Sequence, residues 1–184
     1  MITKPKKKKC KTCRDPFLPL RPMQIVCSSA CALVQASKQS AKQAEQKSKR
    51  ERQEIRERKL ECKPLQYWLK RAEKAFNAWV RERDRDNPCM ACGTYDSPEW
   101  HASHFVAVGV SSALRFNESN VHKSCAKCNV FLGGNLLNYE TRLRAKLGDH
   151  VVDHLKTCQR SKKWTREELQ DIEKKYKSML AKSE

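Results

Sequence analysis

The sequence predicts an α+β fold: a mainly helical chain whose small β portion is stapled by bound metal. Three observations predict it. Residues 32–63 and 65–87 contain neither glycine nor proline, which favours helix. Eight of the ten cysteines fall into four short pairs, the spacing of metal ligands. The run "SHFVAVG" alternates in polarity, as a strand entering a turn does. With 184 residues, of which 39% are hydrophobic and 7% aromatic, any core is modest, and modest cores need staples.

No apolar segment follows the N-terminus as a secretory leader would. No run approaches the roughly 18 apolar residues of a membrane span. A cytoplasmic location and no membrane partner are therefore expected. Reduced thiols in short pairs then read as zinc ligands rather than disulfides. The formal net charge of +18 points to a polyanion, most simply nucleic acid.

Residues 1–11 carry six lysines and no acid, a basic tail suited to touching phosphate. Cys10, Cys13, Cys27 and Cys31 follow as two knuckles. Three prolines between them exclude helix there, and the second knuckle runs straight into a helical stretch. These four thiols are expected to hold a structural zinc. The helix over 32–63 has ten basic residues against five glutamates, and few large apolar residues: Leu33, Val34, Ile55 and Leu60. It reads as a solvated spacer, or as a basic or dimerising arm lying along DNA. The next helix differs. Leu65, Trp68, Leu69, Ala72, Ala75, Phe76, Trp79 and Val80 recur at helical spacing, so it packs on something, and Asn87-Pro88 ends it.

Cys89 and Cys92 form one CxxC knuckle, Cys125 and Cys128 a second, with 32 residues between the pairs. Four thiolates close zinc's coordination, so this ion would be structural and any chemistry must come from other groups. Between and just after the knuckles lie His101, His104, Asn117, Asn120, His122 and Asn129. Strand, turn, strand and a short helix broken at Gly133-Gly134 would bring His104 and Asn129 together. Asn117 reads as a turn former and His122 as a packing or phosphate-contact residue. His150 and His154 read as surface residues, and Cys62 and Cys158 as plain thiols. The C-terminal part reads as a helix stopped at Gly148, a second short helix, and a third opened by a capping box from Thr165 to Glu168. The stripe Leu169, Ile172, Tyr176 and Leu180 is core or a dimer face.

The segment "HASHFVAVGVSSALRFNESNVHKSCAKCNVFLGGN" resembles the ββα-metal (HNH) nuclease motif in its zinc-stapled form. More narrowly, it resembles the lambdoid phage NinG (Rap) recombination proteins, a likeness that extends over most of the chain. Phage endonuclease VII is a more distant likeness. The resemblance implies an endonuclease that cuts branched DNA, such as Holliday junctions and D-loops, during phage recombination in the bacterial host cell. It implies His104 as general base, Asn120 as the residue that orients it, and Asn129 as ligand to a catalytic Mg²⁺ or Mn²⁺. Many HNH enzymes carry a metal-binding aspartate just before the base. Here that residue is Ser103, leaving His101 or Asn135, or phosphate and water, to complete the shell. Branched DNA is the expected partner, with a homodimer and phage or host recombination proteins as further possibilities. The other readings are a non-catalytic zinc-finger protein that holds branched DNA, and an RNA-binding module. The expected divisions are 1–31 (tail and knuckles), 32–87 (helical arm), 88–138 (nuclease core) and 139–184 (C-terminal helices).

Overall fold

The computed structural model describes residues 6–182. The first five residues of the expected basic tail lie outside the described residues. The chain divides between Cys62 and Lys63 into two compact units. The sequence-based division at residue 87 therefore falls inside the second unit, because the helix before it is bound to the core by its own apolar stripe.

In the first unit, β1 (Lys8–Lys9) and β2 (Pro16–Phe17) pair antiparallel. Cys10 and Cys13 sit in the tight turn between them, where Arg14 adopts a left-handed φ of 71° and donates its N–H to the Cys10 carbonyl. The Lys11 N–H reaches the Ile25 carbonyl at 2.9 Å, which brings the second knuckle alongside. Ser28 caps α1 (Ser29–Glu61) by accepting the Cys31 N–H, so the last cysteine pair is fixed by the start of the helix itself. α1 runs for 33 residues without a buried one, as its sparse apolar content predicts.

In the second unit, α2 (Leu65–Arg83) buries Trp68, Ala72, Ala75, Phe76, Trp79 and Val80, six of the eight stripe residues read from the sequence; Leu65, in its first turn, stays exposed and Leu69 is half-buried. That face packs on α5 (Arg166–Leu180), whose Thr165–Glu168 capping box is complete. The Tyr176 ring lies 4.9 Å from Phe76 and 4.8 Å from Trp79. Arg71 clamps Glu173 with two N–H groups at 2.7 and 2.8 Å. The α5 stripe of Leu169, Ile172, Tyr176 and Leu180 is thus core within one chain.

β3 (Trp100–His104) and β4 (Val121–Cys125) form an antiparallel pair, from Trp100 opposite Cys125 to His104 opposite Val121. Val121 joins the α2–α5 core on one face of this pair. Arg83 ties the end of α2 to β4 by donating to the Val121 carbonyl at 2.9 Å. Behind β4, residues 127–131 make a wide helical turn, closed by Gly133 and Gly134 at positive φ. α3 (Leu136–Leu147) and α4 (Asp149–Thr157) follow, separated by Gly148 at φ 86°. A second cluster gathers the knuckle residues 89–91 with Phe105, Leu114, Tyr139, Leu143, Val152 and Leu155. Among the described residues no helix is long and apolar enough to cross a membrane.

Phe76 is fully buried at the meeting of α2, α5 and Phe116. Phe76→Ala is expected to cost about 3–5 kcal/mol of stability, read as a lower denaturant midpoint for the second unit.

Candidate functional site

Both cysteine sets converge. The sulfurs of Cys10, Cys13, Cys27 and Cys31 all lie within 4.8 Å of one another, and so do those of Cys89, Cys92, Cys125 and Cys128. Separations of 3.5 Å (Cys13–Cys27), 3.6 Å (Cys27–Cys31) and 3.8 Å (Cys92–Cys125) exclude disulfides. They match the roughly 3.8 Å between tetrahedral sulfurs bound about 2.3 Å from zinc. Backbone N–H groups point at the sulfurs, as from Cys125 to Cys89 at 3.2 Å and from Cys128 to Cys125 at 3.4 Å. Burial pushes the Cys89 thiol up, but backbone hydrogen bonds from Cys92, Cys125 and Ala91 outweigh it and hold it at about 7. Burial, with Cys125 and Cys92 alongside, pushes Cys128 up to about 12. Four thiols this close resist shared ionisation until a cation sits among them. Either set could therefore hold a structural zinc.

The loop from β3 to β4 is built on Asn120, which is fully buried. Its Oδ1 accepts the Val106 N–H at 2.8 Å, and its Nδ2 donates to the carbonyls of Val106 at 3.0 Å and Leu114 at 3.2 Å. Asn117 makes the turn before it, accepting the N–H groups of Ser119 and Asn120. Asn120 therefore makes no hydrogen bond to the His104 ring; it closes the loop that carries the ring's partner. That partner is the Arg115 carbonyl, 2.9 Å from His104 Nε2. A carbonyl only accepts, so Nε2 bears the proton and Nδ1 the lone pair. Among the described residues Nδ1 has no hydrogen-bond partner. Burial, aided by the nearby Arg115 charge, holds the His104 pKa below the ordinary 6.5, so the ring is neutral at pH 7. The Arg115 guanidinium pairs with Glu73 of α2, which anchors the carbonyl from outside the loop.

The other face of the strand pair meets α3. The Tyr139 hydroxyl donates to the Ser103 carbonyl at 3.0 Å and lies 3.3 Å from His122 Nδ1. Its one proton is engaged by Ser103, so it accepts from His122. Burial, then the charges of Lys146 and Arg83, hold His122 down at about 3, so it is a neutral packing residue. Ser103, opposite His122, is only 2% exposed. His101 stands opposite Ser124, and His101 Nε2 and Ser124 Oγ are both buried without a hydrogen bond. Asn129 lies half-buried in the turn after Cys128, and its amide has no hydrogen-bond partner among the described residues. Asn135 is committed elsewhere: its Nδ2 lies 3.6 Å from Cys128 Sγ, and its Oδ1 accepts from Asn138. His104 and Asn129 share no hydrogen bond; the register sets His104 at the Val121 end of the strands, and Asn129 follows the knuckle at the Cys125 end.

Sequence reasoning missed Arg115, Glu73 and Tyr139. The first acts through a backbone carbonyl, which any residue type supplies. Tyr139 did carry a signal, as an aromatic with a hydroxyl on the apolar side of a helix, where burial demands a partner.

Comparison with known proteins places the chain. Residues 2–184 match the family model described as bacteriophage lambda NinG protein. The chain is 40% identical to protein ninG of Escherichia phage lambda, over 98% of this chain and 95% of that one. It is 39% identical to protein ninG of Escherichia phage 933W, over 97% and 94%, and 38% identical to that of Salmonella phage P22, over 97% and 95%. No solved structure matches. The chain belongs to the NinG family.

Asn120→Ala removes all three side-chain hydrogen bonds and strands the buried Val106 N–H. A loss of about 3 kcal/mol is expected, measured by denaturant unfolding, with both sulfur clusters intact by metal content.

Proposed function

We propose that this protein is a divalent-metal-dependent endonuclease that cuts branched DNA, such as Holliday junctions and D-loops, in phage homologous recombination. The observation that carries the reading is the state of His104. Its proton is placed on Nε2 by the Arg115 carbonyl, leaving Nδ1 as acceptor, and its lowered pKa keeps it neutral at pH 7. A neutral, oriented imidazole with an open acceptor nitrogen is what a general base for an attacking water requires. A purely structural finger has no use for it. NinG family membership and the +18 charge support a nucleic-acid substrate.

In this reading His104 Nδ1 takes the proton of the water that attacks phosphorus, and the Arg115 carbonyl stabilises the imidazolium that forms. Asn129 offers a hard amide oxygen with no competing hydrogen bond, which would suit Mg²⁺ or Mn²⁺, ions that keep several waters and need few protein ligands; since it follows the Cys125 end of the strands and His104 lies at the Val121 end, bound DNA and water would have to span the two. Such an ion, when bound, stabilises charge on the phosphate and on the leaving 3′ oxygen. The products would be a 5′ phosphate and a 3′ hydroxyl. The two cysteine clusters act as structural zinc sites.

One observation favours a second reading, a zinc protein that holds branched DNA without cutting it. Ser103 brings no carboxylate to the position before His104, and it is buried under α3. A labelled four-way junction with Mg²⁺ or Mn²⁺ separates the two. Nicking by the full chain is expected, with His104→Ala abolishing cutting while junction affinity changes less than about threefold. Binding without cutting by the intact chain would establish the second reading. The pH profile has a definite sign. The base works deprotonated, so the cleavage rate should be flat above pH 6.5 and fall only as pH drops through the lowered His104 pKa. Purified protein should carry two zinc equivalents by elemental analysis, one for each cluster. Cys125→Ser should reduce this to one and unfold the second unit, since structural zinc contributes about 10–16 kcal/mol apparent.

A further inference from the structure

Directly after Asn129 the chain turns its apolar side chains outward. Val130 is 57% exposed, Phe131 79%, Leu132 51%, Leu136 49% and Leu137 85%. Five large apolar residues in eight are exposed along one turn, whereas scattered single ones would need no account. The backbone holds this shape by design. Gly133, Gly134 and Asn135 are all at positive φ, so the chain doubles back between Leu132 and Leu136 and presents both sides of the turn together. The Gly134 N–H to the Cys128 carbonyl, at 2.9 Å, and the Asn135 amide on Cys128 Sγ anchor the turn to the sulfur cluster. Phe131 and Leu132 also wall an open cleft of about 510 Å³, floored by the second knuckle and rimmed by Thr94 and Asp96. Lys127 stands exposed in the same turn.

We propose that this patch seats an unpaired nucleobase, displaced from the stack where DNA strands branch, with Phe131 as its stacking face. The inference rests on the endonuclease reading and deepens it. Charge selects the occupant. Residues 126–148 hold four basic residues, Lys127, Arg142, Arg144 and Lys146, against Glu140; Arg144 is engaged by Glu140, Asp149 and Asp153 and Lys146 by Asp84, so Lys127 and Arg142 carry the positive charge beside the patch, with Asp96 also on the cleft rim. That charge favours a phosphodiester over an uncharged protein surface. A branch point is where unpaired or weakly stacked bases are cheapest to displace, and aromatic side chains hold such bases whatever their identity. Phosphate contacts bind any DNA, so a base seat beside Asn129 turns general affinity into preference for a branch.

The test uses the full chain without added magnesium, so that DNA stays uncut. Its probes are a four-way junction carrying 2-aminopurine at the branch and the same label in linear duplex. Wild type is expected to raise the junction's fluorescence on binding. Phe131→Ala should abolish that rise and weaken junction binding about tenfold, leaving duplex affinity unchanged, while Phe131→Trp keeps both. Phe131 is exposed, so the zinc content of each variant should match wild type. Unchanged junction affinity, or equal losses on junction and duplex, overturns the seat. So does a wild-type oligomer that Phe131→Ala dissociates, for then the patch joins protein copies. Should the wild type cut junctions while Phe131 proves silent, only the base seat falls. Should it bind no DNA, the endonuclease reading falls with it.

Discussion

Four sulfur atoms within 4.8 Å of one another carry the second unit. Cys89 and Cys92 come from the turn after α2, Cys125 ends β4 and Cys128 sits in the turn behind it. Three of these four are buried in the same cluster as Tyr139, Leu143, Val152 and Leu155. The sulfurs are thus not an appendix to the core but its centre. A domain of this size is stable by only about 5–15 kcal/mol, and a zinc ion among four thiolates supplies a comparable amount. Against its burial, backbone N–H groups lower the Cys89 thiol, while burial and the neighbouring sulfurs raise Cys128, so four charges cannot be shared here without a cation. The strands, the loop between them and α3 take their places from that clamp.

The clamp acts at the Cys125 end of the strands, while His104 lies at the other, opposite Val121. A second constraint therefore governs the far end, and it is made of ordinary hydrogen bonds. Asn120 is satisfied three times over by backbone groups on both limbs of the loop. The loop so closed holds the Arg115 carbonyl against His104, and the Arg115–Glu73 pair ties it to α2. α2 is in turn fixed on α5 by the Phe76–Tyr176–Trp79 cluster and the Arg71–Glu173 clamp. The tautomer of one imidazole thus depends on packing between helices far apart in sequence. This explains why α2 belongs to the second unit rather than to a helical arm.

Features with a local period were legible in the sequence. The cysteine spacings, the α2 and α5 stripes, the capping box at Thr165 and the stop at Gly148 each rest on residues within a turn or two of one another. The strand pair was legible in the alternation around His104 and in the knuckle that ends it, whereas the expected meeting of His104, Asn120 and Asn129 is not what the register gives: Asn120 bonds the loop backbone, and Asn129 follows the opposite end of the strands. Partners joined through space were not legible. Arg71 and Glu173 stand 102 positions apart, and Arg115 contributes a carbonyl that leaves no mark on residue type. The short helix expected to break at Gly133-Gly134 is a single wide helical turn, Lys127–Phe131, followed by three consecutive residues at positive φ, two of them the glycines that make this cheap. Asn135 is the third; its Nδ2 faces Cys128 Sγ and its Oδ1 accepts from Asn138, which ties its side chain to the turn.

Electrostatics alone would make a poor discriminator here. A chain of net charge +18 is drawn to any phosphate backbone, and that attraction carries no information about the DNA's shape. Selectivity must come from groups that do not answer to charge. In the second unit the apolar residues of α2 and α5 are spent on each other, and α1 belongs to the other unit. The turn from Val130 to Leu137 is different: it keeps its apolar groups outward although burial would stabilise them by about 1.5–3 kcal/mol each. A backbone that needs two glycines and a left-handed asparagine to hold that arrangement is shaped for something outside the fold. The turn lies next to Asn129, at the Cys125 end of the strands, so whatever contacts it meets the chain on the side of the sulfur cluster rather than on the side of His104.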